Sequence, residues 1–249
     1  MGKYFTVEVK PTIPTIETTG MHSGFSANDI VFDWFPFDIP RGTSLLQSVL
    51  LEIAPEHDSG ASVNEIKLDL IFAKTVNGQA PTSLGTANSA LTADVNSRNE
   101  IIGYISNAVF AFETHLDSTA IALARSGMSG NILFEGEPDS GVNVGFDKIY
   151  VAAISSGSLD LRSTMQINNG TLDGDTFTVD GVDPRKCLKP GDIIAATTTA
   201  DTSVSKSLGT VKSLTDTTIT LESTTENAVL DDDFIYNTRP IRLVFGFEK

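Results

Sequence analysis

The sequence is poor in the residues that form covalent cross-links and metal clusters. It has one cysteine, Cys187, and three histidines in 249 residues. An intrachain disulfide and every cysteine-based metal cluster are therefore excluded. A buried, unreactive thiol is the expected state of Cys187, because free cysteine behaves as a small hydrophobic residue. Core packing must supply the stability of the fold, with oligomerisation as a further source.

Long apolar runs and positive charge are also scarce. No segment approaches the roughly 20 apolar residues of a membrane helix, and residues 1–8 lack the apolar core of a secretory signal. We therefore expect a protein made in a cytoplasm, with no membrane partner. Seventeen basic residues against 32 acidic ones give a net charge of −15. Because duplex binding needs clustered Lys and Arg, we expect no nucleic-acid partner.

Catalytic motifs are missing as well. The glycine-rich nucleotide motifs and the Gly-x-Ser-x-Gly of hydrolases do not occur. His57 and Ser59 are neighbours in sequence, which is not the geometry of a catalytic triad. Glu135 and Glu137 share a strand face, but nothing around them indicates a sugar cleft. We expect no enzyme activity, no catalytic residue and no cofactor.

Two acidic clusters, residues 173–175 and 231–233, offer oxygen ligands suited to calcium. Neither has the complete spacing of an EF-hand loop. Aspartate is also favoured in turns, where it accepts hydrogen bonds from the backbone. Turn formation is our interpretation of both clusters, with bound calcium as the alternative, and no metal site is expected.

An alternation of apolar and polar residues dominates the sequence and predicts an all-β protein. Gly, Pro, Asn or Asp bound each predicted strand. Helical signals are few: residues 43–47 are predicted as one helical turn, and residues 118–125 fit a helix and a strand equally well. The predicted strands of the first part are residues 4–10, 48–53, 65–72, 108–113, 132–134 and 148–154.

The composition changes near residue 166, where Ser and Thr become frequent and the strands become short. The last strand, residues 241–247, is again strongly apolar and similar to those of the first part. We predict a jelly-roll-like β-sandwich of residues 25–165 plus 239–249, with a small β-barrel domain of residues 166–238 inserted before the last strand. Alternatively, the last strand belongs to the barrel.

The N-terminal segment and an aromatic stretch are the candidate contact regions. Residues 1–24 are predicted to form an extended arm that laces onto a neighbouring subunit, or else an ordinary sheet edge. Residues 31–40 hold four aromatic residues and two prolines, which prevent a regular central strand. If this stretch faces outward, Trp34, Phe35 and Phe37 form an interface anchor; if it faces inward, it closes one end of the sandwich.

The Ser/Thr-rich part contains five short motifs, residues 177–183, 190–194, 209–214, 218–221 and 233–237. These motifs resemble the small β-barrel modules of structural proteins from tailed phages, especially marine myoviruses. The ending, residues 239–248, resembles the tail of the same proteins, and the likeness covers about a third of the chain.

This resemblance implies a place in a virion and assembly in repeated copies, often as trimers at three-fold positions. We therefore expect a capsid decoration or cement protein on the outer capsid surface, a homotrimer whose partner is the major capsid protein. The alternative is a tail, baseplate or fibre-associated virion protein that binds glycans through the Ser/Thr-rich barrel.

Overall fold

The structure, a computed structural model, describes most of the chain as β-strands and turns. The described residues are 2–13, 25–53, 67–75, 77–91, 100–106, 111–116, 119–125, 132–138, 146–159, 161, 165–169, 174–197, 205–225 and 227–249. Within them lie one 3-10 helix, Pro184–Lys186, and no helix with the length and apolarity of a membrane span.

The strands confirm the predicted all-β class. In chain order they are β1 (Tyr4–Val9), β2 (Ile30–Pro40), β3 (Thr43–Ile53), β4 (Leu68–Lys74), β5 (Ile101–Ile105), β6 (Ala111–Leu116), β7 (Thr119–Arg125), β8 (Ile132–Glu135), β9 (Phe146–Ser155), β10 (Gln166–Asn168), β11 (Thr176–Asp180), β12 (Ile193–Thr197), β13 (Ser205–Leu214), β14 (Thr218–Leu221), β15 (Phe234–Asn237) and β16 (Ile241–Glu248).

Two antiparallel sheets face each other and form a sandwich. The large sheet has the order β1-β16-β3-β7-β6, and β8 pairs with the first residues of β3. The four-stranded sheet has the order β2-β9-β4-β5. The last strand of the chain therefore lies inside the large sheet, between β1 and β3, with Phe245 opposite both Val7 and Val49.

Six phenylalanines from both sheets fill the centre of the sandwich. Phe245 of the large sheet stacks on Phe37 of the four-stranded sheet, with ring centroids 5.1 Å apart, and meets Phe72 edge to face at 5.4 Å. Phe134 makes edge contacts with Phe72 at 5.0 Å and with Phe247 at 5.4 Å. The sixth ring, that of Phe5, stacks on Phe247. Burying one such side chain contributes about 2–3 kcal/mol, and each aromatic pair adds about 1 kcal/mol.

The strands β10 to β15 form a closed barrel in the order β10-β11-β14-β13-β12-β15, which lies in sequence between the sandwich strands β9 and β16. Its separate core includes Phe177, Ile194 and Ile219. The turn before β12 is closed by a hydrogen bond from the Asp192 amide to the Lys189 carbonyl oxygen at 3.1 Å. Gly191 has φ +92° there, a value that suits glycine at the third position of such a turn.

The barrel packs directly on the sandwich. Ala195 of β12 and Tyr236 of β15 are register partners, and both belong to the sandwich core, whereas their neighbours Ala196 and Ile235 belong to the barrel core. Next to them, the Ile13 amide donates to the Thr238 carbonyl oxygen at 3.1 Å. Two barrel strands thus bury one face in each core.

Two sequence expectations need correction or completion. The helical turn predicted for residues 43–47 is wrong, because these residues begin β3, where Ser44 and Leu46 are buried and Leu45 is half-buried in strand alternation. Residues 119–125, for which helix and strand were equally favoured, form β7.

The predicted N-terminal arm divides at residue 13. Residues 4–9 form β1 and pair with β16 of the same chain, which fits the sheet-edge interpretation of this part. Residues 14–24 lie outside the described residues.

The central rings provide a test of the fold. We expect Phe245→Ala to lower the free energy of unfolding by about 3–5 kcal/mol, because it leaves a cavity where four rings meet. Phe146→Ala, at a ring that is 47% exposed, should cost about 1 kcal/mol or less. Urea unfolding followed by circular dichroism measures both. If Phe245→Ala does not fold, Phe245→Leu replaces it; equal losses for the central variant and Phe146→Ala would contradict the packing described here.

Candidate binding surfaces

The aromatic strand β2 is an edge strand of the four-stranded sheet, and its pairing with β9 shifts register twice, before and after Phe32. The second shift is a bulge that concerns the aromatic rings. There the pairing advances from Phe32 to Phe35 while β9 moves only from Ala153 to Val151. The extra residue shifts the alternation, so that Phe32, Phe35 and Phe37 all lie on the core side. The exposed Pro36 suits an edge position, where no ladder hydrogen bond is lost.

Phe37 is therefore not an interface anchor. Its side chain is 6% exposed, and its ring lies between the sheets against Phe245 and Phe247. The inward alternative describes this residue correctly, because the bulge turns its ring toward the core. Phe35 is half-buried and packs against the same core, and its role as an interface residue stays a prediction.

Trp34 contacts its own chain. Because of the bulge, its indole lies on the outer side of the sheet, packed against Ile30, Leu84 and Ala152. The indole Nε1 donates to the Thr82 carbonyl oxygen at 2.8 Å. Its polar atom is thereby satisfied within the chain, and only part of the ring remains for a partner.

The residue before Trp34 holds the same segment. Asp33 accepts hydrogen bonds from the Ser83 hydroxyl at 2.6 Å and from the Leu84 amide at 3.1 Å. Together with Trp34, it fixes residues 82–85 over the four-stranded sheet. The spacing of three between Phe32 and Phe35, which breaks the alternation, was the sequence signal of this arrangement.

A cleft lies where the barrel meets the large sheet, and we call it the junction cleft. Its volume is about 320 Å³. One wall is formed by Glu52 of β3 and Arg242 of β16, and the other by the 3-10 helix and the turn before β12. Sequence reasoning missed this cleft, because its residues come from four separate parts of the chain, around residues 10, 52, 185–193 and 237–242.

Two groups in the junction cleft have pKa values shifted by burial. Burial raises the pKa of the Asp192 carboxyl, although its hydrogen bond from the Lys189 amide, at 3.0 Å, opposes the shift. Burial also raises the pKa of the Cys187 thiol to about 11, with the nearby Asp183 carboxylate adding to the effect. Cys187 is therefore a protonated thiol at neutral pH, as its expected inert state requires.

The acidic cluster at residues 231–233 forms a turn. Asp231 accepts a hydrogen bond from the Asn169 amide at 3.0 Å. Asp233 is buried and accepts from the Leu230 amide at 3.0 Å and from the Lys206 ammonium at 3.1 Å. The turn interpretation thus describes this cluster, and the described residues contain no group of three or more metal-binding side chains.

The other polar residues considered from the sequence are dispersed. Glu137 forms an ion pair with Lys74 at 3.0 Å, while Glu135 is exposed. His115 lies in β6, at the edge of the large sheet. His22, His57, Ser59 and Asp173 lie outside the described residues.

The contact between Trp34 and Thr82 can be tested by substitution. Trp34→Phe keeps most of the apolar surface but removes the indole N–H, so the Thr82 carbonyl oxygen loses this hydrogen bond. We expect the free energy of unfolding to fall by about 1 kcal/mol, measured by urea unfolding with circular dichroism. Unchanged stability would show that this hydrogen bond does not hold the 82–85 segment.

The protonation state of Cys187 gives a kinetic prediction. With a pKa of about 11, about 0.1% of the thiol is ionised at pH 8, against roughly a quarter for an ordinary cysteine. Because a thiolate of higher pKa is also more nucleophilic, the ionisation difference alone should slow the reaction of the folded protein with a disulfide reagent at pH 8 by about tenfold relative to urea, and burial slows it further. A folded-state rate close to that in urea would contradict the buried position.

Comparison of the chain with protein-family models, with curated proteins and with solved structures finds no match. Apart from the resemblance of the barrel segments given above, any functional proposal therefore depends on the strand order, the surfaces and the charges of this chain. Among the surfaces of the described residues, β2 mainly holds its own chain together, and the junction cleft is a polar concavity between the barrel and the large sheet.

Proposed function

We propose that the protein is a virion structural protein that binds the outer surface of a capsid as a decoration or cement protein. The observation that carries this proposal is the order of the sandwich strands. Without β6 and β8, the sandwich has eight strands, which in chain order are β1, β2, β3, β4, β5, β7, β9 and β16. The first of these pairs with the last (β1 with β16), the second with the seventh (β2 with β9), the third with the sixth (β3 with β7) and the fourth with the fifth (β4 with β5). The two sheets then have the orders β1-β16-β3-β7 and β2-β9-β4-β5. This order supports a jelly roll, an architecture that recurs in viral capsid domains.

The jelly roll alone does not select the role, since lectins and cupins use it too. The resemblance of the barrel segments to tailed-phage structural proteins favours the virion role. The barrel itself weakens the glycan-binding alternative, because sugar platforms need exposed aromatic rings. Phe177 is 2% and Tyr236 7% exposed, which leaves Phe234 as the remaining aromatic candidate in the segments considered.

The charge of the chain supports an outer position. A net charge of −15 repels packaged nucleic acid, whose phosphates bind clustered cations.

A shell protein contributes by burying surface between neighbouring subunits, and a specific contact of this kind buries more than about 1,000 Å². The sandwich and barrel, joined through Ala195 and Tyr236, provide a stiff body for such bridging. We propose that it acts as a homotrimer on the major capsid protein.

Binding to shells is the direct test. The purified chain is mixed with assembled empty capsids and, separately, with purified tails of candidate tailed phages, and pelleting and electron microscopy detect bound copies. Native mass spectrometry gives the oligomeric state of the free chain. We expect a trimer and regular density on the outside of one capsid type, with capsids of an unrelated phage as the control. Binding to tails alone would instead support the alternative, and a monomer without affinity for either would overturn both.

A further inference from the structure

The junction cleft concentrates positive charge in an acidic protein. Of the 17 basic residues in the chain, six line this one cleft, together with only two acidic residues, Glu52 and Asp192. The six are Lys10, Arg185, Lys186, Lys189, Arg239 and Arg242. In the sequence the basic residues are dispersed and the net charge is −15, whereas in the fold six of them lie around one cleft.

The fold brings these cations together from separate elements. Lys10 follows β1, and Arg242 lies in β16 on the outer side of the large sheet, between the core residues Ile241 and Leu243. Arg239 lies in the link from the barrel to β16, and the other three lie in or after the 3-10 helix. The cleft therefore exists because the barrel is inserted directly before β16.

Part of this charge is neutralised on the sheet side. The Arg242 guanidinium donates to Glu8 at 2.8 and 2.9 Å and to Glu52 at 2.9 Å. Lys10 forms an ion pair with Glu8 at 2.8 Å. Hydrogen bonds from Lys10 and Arg242 also hold the pKa of Glu8 below its usual value. These groups form a fixed ionic wall, because each cation is already matched by a carboxylate.

One cation on the barrel side is matched as well. Arg185 binds Asp183 through two guanidinium nitrogens, with the shortest distance 2.7 Å. This pair lowers the pKa of the Asp183 carboxyl. Asp216 acts on Arg185 only through its charge. The ion pair between Arg185 and Asp183 lies at the 3-10 helix beside the cleft, and it leaves the Arg185 guanidinium with little positive charge for a ligand.

Arg239 and Lys189 differ from the other cations. Among the residues that the structure describes, none places a carboxylate within ion-pairing distance of either side chain. The Arg239 Nε donates to the Thr12 hydroxyl at 3.3 Å, which leaves the outer guanidinium nitrogens for another partner. Lys189 contacts Asp192 through its backbone amide. The positive charges of Arg239 and Lys189 are therefore available to a ligand that enters the junction cleft.

The size of the junction cleft limits what these charges could bind. A volume of about 320 Å³ is at the lower end of small-ligand sites and corresponds to about ten water molecules at liquid density. It suits one small anionic group and excludes a folded domain. A guanidinium beside an ammonium favours carboxylate and phosphate oxygens, since the guanidinium offers paired donors at the spacing of two such oxygens.

We propose that the junction cleft is a binding site for an oxyanion, a carboxylate or phosphate group, held by Arg239 and Lys189 and flanked by the ionic wall of Arg242. The oxyanion is either a small free anion or an acidic side chain of a polypeptide that reaches into the cleft. This site does not depend on the proposed binding to capsids, because its ligand is recognised by charge and geometry alone.

Calorimetric titration at about 20 mM salt, where charge interactions are weakly screened, tests the site with phosphate, glutamate and hexaglutamate. We expect saturable 1:1 binding of at least one probe. The double variant Arg239→Gln, Lys189→Gln should weaken it about tenfold or more, as expected for lost charged hydrogen bonds. Phosphate as the tightest probe indicates a free anion, whereas hexaglutamate much tighter than glutamate indicates a polypeptide ligand.

The matched control is Lys3→Gln, Lys212→Gln, which removes the same charge from two exposed positions outside the cleft. It should bind within about twofold of the unchanged protein. Arg239→Lys, which keeps the charge but loses the paired donors, should give intermediate affinity. Thermal unfolding checks that each variant is folded. The proposal is overturned if no probe binds to the unchanged protein, or if both double variants weaken binding equally.

Discussion

The contact between the rings of β16 and the facing sheet is the interaction on which the rest of the structure depends. Phe245 and Phe247 come from the last ten residues of the chain, yet they touch Phe37, Phe72 and Phe134 in the centre of the sandwich. Without them the large sheet would lose its second strand and the core its central layer. Since β1 pairs only with β16 among the described strands, it too would lose its place.

The same strand also determines where the barrel can sit. Because the barrel ends at β15 and β16 begins four residues later, the barrel must lie at the end of the large sheet where β16 starts. Ala195 and Tyr236 extend the sandwich core into the barrel wall at that point. The junction cleft is a consequence of this attachment, because neither part alone would bring Arg239, Arg242 and Lys189 to the lining of one cleft. An inserted domain can thus create a polar concavity at the place where it joins its host domain.

Much of the fold could be predicted from the sequence, because half-buried strands alternate in polarity. The apolar character of residues 241–247 predicts that they belong to the first part of the chain. In the structure these residues pair with β1 and β3. Residues 43–47 were mistaken for a helical turn, since Leu45 and Leu46 are adjacent apolar residues; Leu45 lies half-buried on the outer face. In β2, the bulge after Phe32 changes which rings face the core. A regular alternation counted from Phe32 would place the ring of Phe37 on the outer face of the sheet.

The junction cleft was not predictable in the same way. Its cations are separated by up to about 230 positions in sequence, and nothing local in Lys10 or Arg239 indicates that they share a wall. Local pattern determines which residues form strands, whereas a site assembled from several elements depends on the strand order, and single-sequence patterns do not encode that order directly.

The pairing of β1 with β16 has a consequence for how the chain folds. Tyr4 and Glu248, joined by a hydrogen bond, are 244 positions apart, so this pairing closes a far longer loop than any pairing inside the barrel. The barrel, by contrast, uses only pairings within residues 166–237, and short loops close faster than long ones. When the unfolded chain refolds, we therefore expect the local pairings of the barrel to form before β1 and β16 meet.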